Sequence, residues 1–205
     1  MPTPTTAWHT LRIGNENCYT STRSHRNTAS AQPPVALVFR CADAGPASNV
    51  IFGQSFTSII EVSIWGHVID TGVLATVDHA VGTLQVPLIL VLGHQNCAAM
   101  HTALKVWNDG QDLPQSATRA AVEQATTSIL HRASGAVSAD LLEAGHVVEA
   151  GLALLQKSPV LARAVDTGRS AVICALTEDS DNGRVRVCAT IGDVDDQTQD
   201  LLECV

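Results

Sequence analysis

The stretch Pro87-Leu88-Ile89-Leu90-Val91-Leu92-Gly93 decides the fold. Its apolar run sits between a proline and a glycine, with no polar residue inside it. It is too short for a helix and lacks the alternation of a half-exposed strand, so it predicts a strand buried on both faces. Upstream, Val35–Cys41 (VALVFRC) repeats the signal between Pro34 and Asp43, and Ile59–Trp65 (IIEVSIW) predicts a further strand ended by Gly66. Between these runs, Thr71–Leu84 places Leu74, Val77, Val81 and Leu84 at helical spacing. Downstream, residues 97–108, 116–133 and 138–157 read as helices, and Ser158–Thr167 as another with Pro159 in its first turn. Ser170–Thr177 and Arg184–Thr190 flank Asp179-Ser180-Asp181-Asn182-Gly183, which predicts a hairpin. The expected class is α/β: a mostly parallel central β-sheet flanked by helices, with an antiparallel edge strand from the terminal hairpin. Residues 1–34, rich in Thr, Ser, Asn and Pro, form an N-terminal helical arm with a short helix near Trp8–Asn15. No repeat or long linker interrupts the chain, so residues 1–205 are expected to be a single domain.

Composition narrows the function. The 205 residues carry 12 Lys and Arg against 20 Asp and Glu, a net charge of −8, and only 3% aromatic residues. That balance excludes nucleic acid as an expected partner, because phosphate binding needs clustered cations and single-strand binding needs stacking rings. No run approaches the roughly 18 apolar residues of a membrane span, and no basic segment leading into an apolar run marks a secretory signal. A cytoplasmic protein is expected. There the six cysteines, Cys18, Cys41, Cys97, Cys174, Cys188 and Cys204, stay reduced, so cysteine spaced with histidine points to metal or catalysis rather than to disulfides. Cys174 and Cys188, inside apolar runs, read as small core residues.

Cys41 closes one buried strand, and Gly93-His94-Gln95-Asn96-Cys97 follows another. Parallel sheets gather ligands at the carboxyl ends of their strands, so Cys41, His94 and Cys97 are expected at one sheet edge. Cys97 at the start of a helix gains thiolate character from the helix dipole. Two thiolates and an imidazole suit zinc and leave a fourth position for water. Asp43 is either an acceptor beside the metal or the fourth ligand.

Cys41-Ala42-Asp43, followed after a long gap by Gly93-His94-Gln95-Asn96-Cys97, resembles the β-class carbonic anhydrases. Leu11-Arg12-Ile13-Gly14-Asn15 is similar to that family's N-terminal L-x-x-G-N helix. Gly66-His67-Val68-Ile69-Asp70 and Val81-x-x-Leu84-x-Val86-Pro87 match its middle segments, and His146-Val147, Ser158-Pro159 and Gly168 fall where its pattern has them. The resemblance implies a zinc enzyme that reversibly hydrates CO2 to bicarbonate, with zinc on Cys41, His94 and Cys97 and bound water brought to a pKa of roughly 7. It assigns Asp43 to catalysis, as acceptor from the zinc-bound hydroxide, and it implies a homodimer or tetramer.

The chain departs from that pattern near the metal. The family's C-x-D-S-R is here Cys41-Ala42-Asp43-Ala44-Gly45, so the arginine that holds the aspartate off the metal is missing. Ser63 replaces an arginine of the second strand, Trp65 a small residue, His79 a tyrosine, and Ala98 the glycine after the second cysteine. These changes predict weak or altered hydration. Two alternatives are a zinc hydrolase for another small heterocumulene (carbonyl sulfide, carbon disulfide) or a biosynthetic substrate, and a non-catalytic zinc scaffold with Asp43 as fourth ligand. His67, His79 and His101 are expected on segments that approach the pocket, and histidine as a residue type ordinarily changes charge near neutral pH. His9, His25 and His131 read as surface residues.

Overall fold

The computed structural model describes residues 2–20, 33–55, 57–130, 137–178 and 183–194. It contains the expected α/β sheet. Strands β1 (Ala36–Arg40), β2 (Ile59–Ser63), β3 (Leu88–His94) and β4 (Ala171–Glu178) run parallel, and β5 (Arg184–Ile191) runs antiparallel to β4. The order is β2-β1-β3-β4-β5. Every residue of β1 and β3 is buried, which is why both read as unbroken apolar runs. On the edge, β2 alternates between covered and open positions.

Seven α-helices among the described residues flank the sheet. Helix α3 (Thr71–Gly82) is capped by Asp70, whose carboxylate accepts from Val73 N. Helix α6 (Ala139–Lys157) is capped by Ser138, and α7 (Pro159–Asp166) by Ser158, with Pro159 where its missing N–H costs nothing. These three pack with Phe39, Ile89, Val91 and Val172 in the larger core. Helix α1 (Pro4–Thr20) lays Ala7, Trp8 and Leu11 on the opposite face, against Val38, Leu90 and Phe52. Helices α4 (Ala98–Asp109) and α5 (Arg119–Leu130) close the carboxyl end of the sheet over Cys41 and Cys97. The short α2 (Ser48–Ile51) has no counterpart in the sequence reading.

The arm helix is longer than its sequence predicts, Pro4–Thr20 against Trp8–Asn15. Burial of Ala7, Trp8 and Leu11 overrides the weak propensity of the surrounding Thr and Asn. Asn15 pins it further: its amide donates to the carbonyls of Ile51 and Gly183, each at 3.0 Å. At Gly14 the helix touches its neighbour so closely that a Cβ would lie 1.8 Å from the Phe52 carbonyl oxygen. Backbone cannot yield as a side chain can. Gly14→Ala is therefore expected to destabilise the protein by roughly 3 kcal/mol, seen as a lower urea midpoint at unchanged slope. The expected hairpin turn at 179–182 lies outside the described residues, as do His25, His131, Cys204 and the side chain of Cys18.

Candidate metal centre

Adjacent parallel strands bring the expected donors together. The register pairs Arg40 with Leu92, so Cys41, one residue past β1, and His94, the last residue of β3, emerge side by side. Asn96 turns the chain with a positive φ of 58° and delivers Cys97 to the N-cap of α4. Donor atoms of Cys41, Asp43, His94 and Cys97 all lie within 4.8 Å of one another. The two Sγ atoms are 3.7 Å apart. Asp43 Oδ1 faces Cys41 Sγ at 2.7 Å and His94 Nε2 at 2.9 Å, while its Oδ2 accepts from the Ala98 N–H at 3.1 Å. The carboxylate thus points into the cluster, held by the first turn of α4.

These contacts set the electrostatics. The Cys41–Cys97 pair favours a single thiolate: the hydrogen bond between the two sulfurs lowers Cys97, aided by the Met100 and Ala99 amides, and raises Cys41. Burial pulls His94 down, but the Cys41 thiol and the Asp43 carboxylate outweigh it and raise the ring to about 9. Burial likewise raises Asp43, and bonds from Cys41, His94 and the Ala98 amide outweigh it and leave the carboxyl below its ordinary value. His94 Nδ1 donates to the Gln95 carbonyl at 2.8 Å, which fixes the ring and leaves Nε2 aimed at the cluster. Two thiols, one imidazole nitrogen and one carboxylate oxygen within this radius make a donor set that fits zinc.

Three supporting residues had no role at the centre in the sequence reading. The Gly66 N–H donates to Cys41 Sγ at 3.0 Å. Gly66 has φ +64°, and a Cβ there would meet Ala121 Cβ at 2.6 Å. Glu143, 3% exposed on α6, accepts from the Cys97 N–H at 3.1 Å. Burial raises its carboxyl more than that amide lowers it. Arg40 is 3% exposed at the end of β1, beside the same loop. No sequence spacing signals any of these contacts.

The other singled-out residues divide. Trp65 is half-buried and packs against the Cys41–Cys97 cluster, and Ala98 is exposed at the start of α4. Ser63 is exposed, as are His79 on α3 and His101 on α4. His67 does not join the donors. With φ +53° it turns inward, and its Nε2–H donates to the Leu92 carbonyl at 3.1 Å.

A sequence model described as carbonic anhydrase matches residues 36–185, which span both cysteines and the histidine. The chain is also 35% identical over 203 residues to carbonic anhydrase 2 of Mycobacterium tuberculosis, covering 95% of this chain and 97% of that one. The chain belongs to the carbonic anhydrase family. Its fold is that of the β class. A Coccomyxa β-carbonic anhydrase in complex with acetazolamide superposes with a TM-score of 0.65 at 20% identity, covering 86% of this chain and 79% of that one. A structure from work on two tetrameric β-carbonic anhydrases of the ascomycete Sordaria macrospora gives 0.63 at 18% identity, covering 77% and 81%. Carbonic anhydrases are lyases, and among the described residues of this one no helix is long and apolar enough to cross a membrane.

Proposed function

We propose that this chain is a zinc-dependent carbonic anhydrase that interconverts CO2 and bicarbonate at a rate limited by its own Asp43. The observation that carries the reading is the meeting of Cys41, His94, Cys97 and Asp43 within 4.8 Å at the carboxyl end of the sheet. Cys41, His94 and Cys97 would hold the zinc, and zinc there supplies a Lewis acid that lowers the pKa of bound water to roughly 7. Gly66 and Glu143 fix the two cysteines through one amide contact each. Asp43 is suited to accept a hydrogen bond from a hydroxide at the fourth position and orient it, yet its Oδ1 lies against Cys41 and His94, where it competes for that position. Half-buried Trp65 narrows the space beside them. A thiolate centre needs reducing conditions, which supports a cytoplasmic location. The tetrameric Sordaria relatives support a homodimer or tetramer.

Stopped-flow CO2 hydration by zinc-loaded protein across pH tests the proposal; rates no higher than buffer at every pH overturn it. Parallel assays with carbonyl sulfide and carbon disulfide distinguish a changed substrate. The direction in which Asp43 points also favours a second reading, a zinc scaffold closed by its own carboxylate. The two separate on one variant. A Cβ on Gly45 meets nothing within 4 Å, so the pair Ala44→Ser and Gly45→Arg can be introduced without a clash at that position. An arginine there offers Asp43 a bidentate partner, and hydration is expected to rise about tenfold or more, the scale on which partners of ligand residues act. An inactive protein that stays inactive in this variant is a scaffold.

A further inference from the structure

Arg40 ends β1 directly before Cys41 and is almost wholly enclosed. Its guanidinium donates to three consecutive carbonyls of the turn that follows Asp43: Pro46 at 2.6 Å, Gly45 at 3.1 Å, and Ala44. Its charge is balanced by Glu61 on β2, with Nη1 to Oε2 at 3.6 Å. Glu61 is itself held by the Ser48 N–H at 2.7 Å, where α2 begins. Burial raises the Glu61 carboxyl, but the Ser48 bonds and the Arg40 charge outweigh that and keep it ionised. Across the strand pair, Arg40 lies in register with Ser63 of β2. The Ala44 N–H returns to the Cys41 carbonyl at 3.2 Å, so the turn is tied at both ends.

From this arrangement we infer that Arg40, braced by Glu61, is the positioning residue of the centre: it grips the 44–46 turn and so holds Asp43 facing the two cysteines and His94. The inference deepens the metal-centre reading and rests on it. Only a planar fork spans neighbouring carbonyls at once. A lysine offers a single point charge, and a methionine of similar length offers no donor. Its two terminal nitrogens are engaged by the turn and its charge by Glu61, while Nε is buried without a partner, so the guanidinium is directed at the turn rather than at the Asp43 carboxylate. That carboxylate stays available to the metal, the reverse of what an arginine at position 45 would do.

The test uses the full chain loaded with cobalt(II), whose visible absorption reports its ligands, with azide as the probe anion. In the wild type, Asp43 is expected to hold its place and azide to bind weakly. Arg40→Met frees the turn, so azide should bind about tenfold tighter, with a changed absorption envelope. Arg40→Lys and Glu61→Gln should fall between the two. If Arg40→Met fails to fold, these milder variants carry the test. Unchanged azide affinity and spectrum in all folded variants, with only a lower melting temperature, overturn the inference and make Arg40 purely structural. Wild-type protein that takes up no stoichiometric cobalt overturns the metal-centre reading itself, a result distinct from the other.

Discussion

Zinc at a thousandfold excess over its dissociation constant is expected to raise the melting temperature by about 12 °C. Mass action at that excess contributes about 4 kcal/mol, and in a chain of this size each kcal/mol shifts the midpoint by about 2–4 °C. The source of the effect is the crowding of like-charged donors. Asp43 sits 2.7 Å from Cys41 Sγ and 4.0 Å from Cys97 Sγ, and the two sulfurs are 3.7 Å apart. Protons on Cys41, whose pKa is raised, and on His94, at about 9, balance that charge near neutrality. A dication replaces both. Zinc uptake at pH 7 should therefore release at least the two protons on Cys41 and His94, and apparent affinity should fall about a hundredfold or more for each unit of acidification. Calorimetry in buffers of different ionisation enthalpy counts the protons. Cys97→Ala removes the thiol favoured for deprotonation, and the melting shift should shrink below about 2 °C. A full shift in that variant would place the metal elsewhere.

The second large effect is acid lability from two buried histidines. His67 and His146 are each 2% exposed, and their ring centroids lie 5.7 Å apart. His67 Nε2–H donates to Leu92 O, and its Nδ1 is buried without a partner. His146 Nε2–H donates to the Gly66 carbonyl at 3.1 Å, so its Nδ1 accepts from the Ser128 hydroxyl. Both rings are neutral in the fold. Burial, reinforced by repulsion from His146 once acid has protonated it, lowers His67 to about 3, and burial lowers His146 to about 4. In the unfolded chain both return to about 6.5. Between those limits the unfolded state binds more protons, so this stabilisation is complete above pH 6.5 and is lost on acidification towards the folded values. From pH 7 to pH 5 the loss is about 2 kcal/mol for each ring, about 4 kcal/mol together. Urea unfolding at a series of pH values reads the slope. In the folded protein the Cε1 proton resonances of both rings should hold their neutral positions down to pH 5; titration near 6.5 would refute the assignment.

How much of this was legible depended on whether a residue's role is local. Strands β1 and β3 announce themselves because full burial removes every polar residue from Leu37–Phe39 and Leu88–Leu92. Cys41, His94 and Cys97 were legible because each ends or follows a strand read as buried, and parallel strands deliver their carboxyl ends to one edge. The α2 helix was not, since four residues, Ser48–Ile51, cannot display a 3.6-residue period. Glu143 acts on the backbone of a cysteine 46 positions away, and such a pair leaves no local pattern; Arg40 reaches carbonyls only four to six residues on, but through a turn conformation that the residue types do not display. His67 sits on a segment that does approach the cluster. Its positive φ, invisible in composition, turns the ring towards β3 instead.

Gly66 concentrates several of these demands in one residue. Its amide serves a sulfur, its carbonyl receives His146, and its bare α-carbon admits Ala121 and Ala99. Drift at this position would disturb thiol chemistry, histidine burial and helix seating in a single step, so selection cannot adjust one of them there without the others. Laboratory evolution that aims to retune this enzyme has freer ground at Trp65 or Ala98, beside the donor cluster, and should find codon 66 frozen.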